Sequence, residues 1–328
     1  MGIEFTEHPP RTERAGPADY LAIMRLDHAT KHIFIVPGFA LAVLLRPEHG
    51  EFRLYPIITG LVMAVLIASA NYVINEYLDR DFDALHPTKS LRRAVQRQMD
   101  GRMVWLLWLA LVVAGVGIAL VTSKMMTAIA LAFAAQGLAY NVPPIRTKDV
   151  PYLDVLSESV NNPLRLAIGW AMIDPGSLPP VSIIIAYWFG GAFLMGTKRL
   201  SEYREIVASH GAALLARYRK SFAGYDEVTL TASCLFYALL SVMAVSIFLV
   251  KYRIEYVLLL PALGLLFATY LALAMQPGST AQKPERLFAE RGLMRLVAVL
   301  VLLFVALTFV NIPGLAPLAE PHFVELRR

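Results

Sequence analysis

The chain has 328 residues, 57% of them hydrophobic and only 17% charged, with a formal net charge of +5. Soluble domains carry about 25% charged residues, yet seven windows here hold no Asp, Glu, Lys or Arg: 54–75, 103–123, 125–145, 175–197, 228–250, 256–282 and 296–319. Since about 20 apolar residues cross a bilayer as a helix, this is an all-α polytopic membrane protein, and a soluble enzyme is excluded. The one cysteine, Cys234, lies inside an apolar window, which excludes a disulfide framework and a cysteine-based metal site. The basic balance is read as loop topology rather than as nucleic-acid binding.

Taken in chain order, residues 1–19 are polar and Pro-bearing and are expected to form a short cytoplasmic tail. His32 to Leu45 is uncharged but short, with Pro37 and Gly38 inside it; Val155 to Ile173 carries Glu158, Asn161, Asn162, Pro163 and Arg165. Counting both as spans gives nine helices. The loops then sort cleanly: of 30 Lys and Arg, 22 fall on the side of the N-terminus, 7 on the other, and Arg165 within a span. Omitting the fifth span would send the six basic residues of 198–225 outside, against the positive-inside rule. The expected organisation is therefore a single nine-helix domain over 20–319 in the inner (plasma) membrane, with a short outer tail over 320–328. Most charge of both signs lies in two inner loops, 79–102 and 198–225, so function is expected at the cytoplasmic face.

The second span ends in Asn75-Glu76-Tyr77-Leu78-Asp79-Arg80-Asp81-Phe82-Asp83. Positions four apart drift by only about 40° around a helix, so Asn75, Asp79 and Asp83 stack on one face. Asp81 points elsewhere, toward solvent with Arg80. Carboxylates at a helix C-terminus oppose the macrodipole, so their presence asks for a reason. Oxygen ligands at the mouth of a membrane helix suit Mg²⁺, which takes one or two carboxylates and completes its shell with water and phosphate oxygens. Next comes His86-Pro87-Thr88-Lys89-Ser90-Leu91-Arg92-Arg93. Pro87 breaks the helix, and Lys89, Arg92 and Arg93 can fold back to meet a diphosphate from the other side.

The Asn75-x3-Asp79-x3-Asp83 ladder followed by His-Pro-x-Lys resembles the first signature of the UbiA-type intramembrane transferases. The resemblance implies nine helices around a central cavity open to the cytoplasmic side and to lipid, with a diphosphate donor held through Mg²⁺. Glu76 stands where many members carry Asp. A second aspartate ladder, usual at the end of the sixth helix, is replaced here by Gly196-Thr197-Lys198-Arg199-Leu200-Ser201-Glu202-Tyr203-Arg204-Glu205. Lys198, Glu202 and Glu205 fall on one helix face, a spacing that salt-bridged helix ends also use.

That second segment is similar to the branch that moves phosphoribosyl from phosphoribosyl diphosphate to a polyprenyl (decaprenyl-type) phosphate in cell-envelope biosynthesis. Lys31, Tyr140-Asn141, Lys148, Asp154 and Pro163-Leu164-Arg165 share the likeness. It implies that Asn75, Asp79, Asp83 and Glu202 hold Mg²⁺, and that Lys89, Arg92, Lys198 and Arg199 neutralise the donor diphosphate. Lys31, Arg146, Lys148 and Arg165 then place the acceptor phosphate or the donor 5-phosphate, with Tyr140 and Asp154 also facing substrate. A charge within a span usually faces a cavity or a partner; the bland reading of Arg165 is a pair with Asp154 or Glu158. Two other functions compete. One is UbiA-type transfer of a prenyl group from a polyprenyl diphosphate to an aromatic or quinone-precursor acceptor. The other is a transporter, suggested by Arg165 and the break near Pro163.

Overall fold

The computed structural model describes residues 13–49, 54–86, 89–211, 214–215, 217, 219–282 and 290–318. Pro87, Thr88, Pro284 and the tail over 320–328 lie outside the described residues. Among those described the chain is helical, with no strand beyond an isolated bridge between Arg14 and Gln98. The helices are α1 (Pro17–Ala22), α2 (Val36–Leu45), α3 (Leu54–Asp83), α4 (Arg93–Gln96), α5 (Gly101–Thr122), α6 (Lys124–Asn141), α7 (Leu153–Ser159) and α8 (Asn161–Ala171). They continue as α9 (Val181–His210), α10 (Glu227–Tyr252), α11 (Leu260–Ala274) and α12 (Arg291–Phe309), joined in places by short 3₁₀ turns.

Seven stretches among the described residues are long and apolar enough to cross a membrane: Pro17–Leu45, Leu54–Asp83, Gly101–Thr122, Val181–His210, Glu227–Tyr252, Ile254–Ala274 and Arg291–Phe309. The expected count of nine is not reproduced by length and composition. Lys124, Gln136 and Asn141 dilute the 18 residues of α6. The expected span over 155–173 is broken at Val160 into α7 and α8, of 7 and 11 residues.

The chain folds as two compact units, Met1–Pro179 with Ile206–Tyr225, and Pro180–Glu205 with Asp226–Arg328. In the first, α3 packs on α5 and α6 around Met63, Ile67, Ile129, Phe133 and Ile168. Two short apolar segments solve each other's problem there. A Cβ on Gly38 would strike the Leu166 carbonyl, and one on Gly169 would strike the Ile35 carbonyl and the Phe39 nitrogen. Glycine at both places lets α2 and α8 touch backbone to backbone, as small residues do in membrane interfaces. Ser123 alone separates α5 from α6 and caps the latter by accepting from the Met126 N–H at 3.0 Å.

In the second unit, Phe193 packs edge-on against Phe267, and Cys234 is buried where Gly196 gives it room. Asp226 caps α10, its carboxylate accepting from the Thr229 N–H at 2.7 Å while the Thr229 hydroxyl accepts from the Asp226 N–H at 3.1 Å. That bond holds the Asp226 carboxyl below the usual carboxylate range.

Candidate active site

The polar end of α3 carries the ladder on one face. The Asn75 side-chain amide donates to Asp79 Oδ2 at 3.2 Å and to Asn141 Oδ1 at 2.7 Å. Asp79 Oδ1 meets Lys148 Nζ at 2.6 Å and the Arg146 guanidinium at 2.9 Å. Asp83, buried, accepts from Arg92 at 2.7 Å. Asp81 is exposed and lies 3.9 Å from Arg80, on another face as its position requires. Glu76, which the ladder motif leaves unassigned, is buried and paired with both Arg25 (2.8 Å) and Arg92 (3.1 Å).

Local backbone delivers these cations. After Asn141 the chain turns through a cis Pro143–Pro144 bond into Arg146, then a 3₁₀ turn over Thr147–Asp149. Arg146 is fixed by the Asp149 carboxylate (3.1 Å) and the Asn141 carbonyl (3.0 Å) as well as by Asp79. Lys148, 3% exposed, also donates to Asn141 Oδ1 at 2.8 Å. Burial lowers the Lys148 ammonium to about 8, although Asp79 pulls it upward. Among the described residues three non-glycines have positive φ: Arg25 (53°), Arg146 (27°) and Tyr152 (63°). Two of them are arginines bonded to carboxylates of the α3 end. Such backbone costs on the order of 1–3 kcal/mol each and persists where function holds it.

The other expected residues of this unit divide into three groups. Lys89 opens the 3₁₀ turn after the ladder, its N–H donating to His86 Nδ1 at 3.3 Å. Lys31 Nζ lies 5.2 Å from the Tyr72 ring centre and Arg165 5.4 Å from that of Phe133, with His32 in the field of both cations. Arg165 also donates to the Asn161 carbonyl at 3.3 Å. These cations sit beside α3 about one turn before Asn75, since Asn71 donates to the Phe133 carbonyl at 2.9 Å. Asp154 has no exposed surface and accepts from Ser221 (3.1 Å) and Tyr225 (2.5 Å) while pairing with Arg219 (3.3 Å). Tyr140 accepts from Arg219 at 2.9 Å, and its ring faces Lys148.

Arg25, Glu76 and Arg219 were not expected. The 3₁₀ helix over Leu26–Ile35 eclipses every third side chain, so Arg25, His28 and Lys31 form a row toward Glu76 and Tyr72. That spacing of basic residues is the one sequence signal that pointed there. In the second unit, Arg199 pairs with Glu202 at 3.2 Å, both buried, and Arg204 pairs with Glu227. Arg199 and Glu202 are three apart on the helix, and Lys198 is half-buried on the same helix.

The donor set bears on a metal. No group of three or more His, Cys, Asp or Glu is gathered as a metal cage among the described residues. Two carboxylates, each already beside a cation, and an amide oxygen fit Mg²⁺ that arrives with phosphate oxygens.

Comparison with known proteins now decides the family. The profile described as the UbiA prenyltransferase family matches residues 34–291, most of the chain. The chain belongs to the UbiA prenyltransferase family. It is 26% identical over 189 residues to a protoheme IX farnesyltransferase of Geobacillus kaustophilus, covering 55% of this chain and 60% of that one. It is 28% identical over 169 residues to a 4-hydroxybenzoate octaprenyltransferase of Stutzerimonas stutzeri, covering 49% and 52%. The chain thus spans little more than half the length of these curated relatives. Its fold matches a UbiA homologue from Archaeoglobus fulgidus bound to GPP and Mg²⁺, with TM-score 0.65 and 20% identity, over 89% of this chain and 100% of that chain. Membership in this family sets the UbiA fold and puts the transporter reading aside.

Proposed function

We propose that this UbiA family member is a divalent-metal-dependent intramembrane transferase that ionises a diphosphate donor at the Asn75/Asp79/Asp83 ladder. One observation carries the reading: each ladder carboxylate is already matched to a cation from another element, Lys148 and Arg146 on Asp79, Arg92 on Asp83. A buried charge that loses its partner costs about 3–5 kcal/mol. A metal–diphosphate pair avoids that loss, because carboxylates and cations can exchange partners and every charge stays matched.

Asn75, Asp79 and Asp83 would hold Mg²⁺, with Glu202 as the further ligand implied by resemblance. Successive ladder positions are about 6 Å apart along the axis, so all three side chains stand at the same end of α3. Bound Mg²⁺ supplies Lewis-acid stabilisation of the leaving diphosphate. Arg146, Lys148, Arg92 and Lys89 donate N–H to phosphate oxygens and stabilise the charge that grows as the C1–O bond stretches. Lys198 and Arg199 are assigned the same role. Lys31 and Arg165 receive a second anionic group. The distribution of Lys and Arg supports a site open on the cytoplasmic side of the plasma membrane, with the N-terminus inside and the C-terminus outside.

For the donor, we favour phosphoribosyl diphosphate, with polyprenyl phosphate as acceptor. Its 5-phosphate and the acceptor phosphate add anionic charge to the diphosphate, and a second cationic group at Lys31 and Arg165 answers that need. A phosphate monoester attacks near neutral pH without a general base. The relatives named above support a second reading, prenyl transfer to an aromatic or quinone-precursor acceptor, in which Lys31 and Arg165 meet an acceptor carboxylate. Purified protein with Mg²⁺ is offered radiolabelled phosphoribosyl diphosphate with polyprenyl phosphate, or polyprenyl diphosphate with an aromatic acid. A labelled lipid from the first pair supports the favoured donor; product from the second pair alone replaces it with prenyl transfer; no product from either overturns the transferase reading.

A further inference from the structure

Arg219 reaches the site on a segment outside both signature motifs, and its surroundings are built to hold it. The guanidinium donates to the Tyr140 hydroxyl at 2.9 Å and, through Nε, to Ser221 Oγ at 3.2 Å, and lies 3.3 Å from Asp154. Asp154 is fully buried and also accepts from Ser221 (3.1 Å) and Tyr225 (2.5 Å). The Tyr225 hydroxyl accepts in turn from the Tyr152 N–H at 2.5 Å, where the backbone has φ 63°. Gly224 presses so closely on Pro151 that a Cβ there would force Pro151 to move.

A carboxylate with no exposed surface is costly unless it fixes a charge, and the charge it fixes is Arg219. Arg219 acts electrostatically on both Asp79 and Lys148. The three cations around Asp79 share one construction. Arg146 is held by Asp149 and the Asn141 carbonyl, Lys148 by the Asn141 side chain, and Arg219 by Asp154. Each has an anchor of its own, so each keeps its place when Asp79 changes partner.

We propose that Arg219 is a further phosphate ligand for the leaving diphosphate, and that Asp154, Ser221 and Tyr225 are positioning residues that aim it. The inference rests on the diphosphate reading of the ladder. It assigns to the 219–225 segment a share of donor recognition that neither inner-loop motif contains.

The test uses the full chain in lipid nanodiscs, titrated calorimetrically with inorganic diphosphate in the presence of Mg²⁺. Arg219→Ala is expected to weaken binding about tenfold or more, the range for a hydrogen bond between charged groups, and Arg219→Lys to recover part of it. Tyr225→Phe keeps the guanidinium but loosens its anchor, and is expected to weaken binding two- to threefold. In turnover assays these variants should raise the donor KM more than they lower kcat. If Arg219→Ala fails to fold, Arg219→Lys and Tyr225→Phe carry the test. Wild-type affinity in these variants, or loss of thermal stability with unchanged affinity and donor KM, overturns the role of Arg219. Failure of the unaltered protein to bind diphosphate with Mg²⁺ overturns the diphosphate reading itself.

Discussion

Replacing Asp79 by Asn tests the exchange of charge partners most directly. The substitution preserves shape but removes the carboxylate that Lys148 meets at 2.6 Å and Arg146 at 2.9 Å, both cations being largely buried. Breaking such a buried pair costs about 3–5 kcal/mol. The lower part of that range applies, because Lys148, already held near 8 by burial, can release its proton, whereas a guanidinium cannot. A loss on the order of 3 kcal/mol then lowers the thermal midpoint by roughly 5–10 °C, and Mg²⁺-dependent transfer is abolished. The specific outcome concerns ligands. Inorganic diphosphate should stabilise the unaltered protein only together with Mg²⁺, since Asp79 otherwise competes for the cations. In Asp79→Asn the cations are released, and diphosphate alone should stabilise the protein. Thermal unfolding in nanodiscs, with diphosphate and Mg²⁺ added singly and together, reads this out. Full turnover by Asp79→Asn, or diphosphate stabilisation that still requires Mg²⁺, would refute the reasoning.

Glu76→Gln removes the negative charge shared by Arg25 and Arg92, and is expected to raise donor KM several-fold and lower the thermal midpoint, since a buried, hydrogen-bonded charge loses its counter-ion. Gly169→Leu drives a side chain into the Ile35 carbonyl, so α2 and α8 must separate, at a cost of about 1–3 kcal/mol measurable by thermal unfolding and by reduced yield of folded protein. The Asp226 cap has a sign fixed by its depressed carboxyl. Its stabilisation is present above the unfolded Asp value and lost as pH falls through the lower folded value, so Asp226→Asn should flatten the acid limb of a stability–pH profile while leaving neutral pH nearly unchanged.

How much of this was legible in the sequence depends on chain distance. The ladder was readable because four-residue spacing on a helix is a local rule, and Arg92 was readable because it follows Asp83 by one short turn. Lys148 entered through family resemblance and Arg146 as a candidate phosphate ligand beside it; the structure places both on Asp79. Arg219 obeys no local rule and Arg25 is signalled only by its three-residue spacing from His28 and Lys31, since their partners Tyr140 and Glu76 are 79 and 51 residues away. Asp154 shows the converse. A carboxylate beside an inner loop looks the same in sequence whether it faces a ligand or the hydroxyls of Ser221 and Tyr225, and only packing separates the two. The count of nine spans is not confirmed for a related reason. Hydropathy treats 155–173 as one segment, whereas Val160 divides it and Gly169 gives its second half to α2.

The distribution of partners also bears on why the ladder stands at the end of a long apolar helix. Four acidic side chains within nine residues, at a helix C-terminus, oppose the macrodipole and would repel one another in a membrane-facing setting. They are tolerated because the opposing cations come from separate places: Arg25 from the N-terminal segment, Arg92 from the loop after α3, Arg146 and Lys148 from the turn after α6. Each pair therefore ties a different piece of chain to α3, and the carboxylates serve as the hub that assembles this unit before any substrate arrives. A hub made of ion pairs differs from one made of leucines in a single respect that matters here: its contacts can be traded for a metal and a diphosphate without unpacking the helices around them.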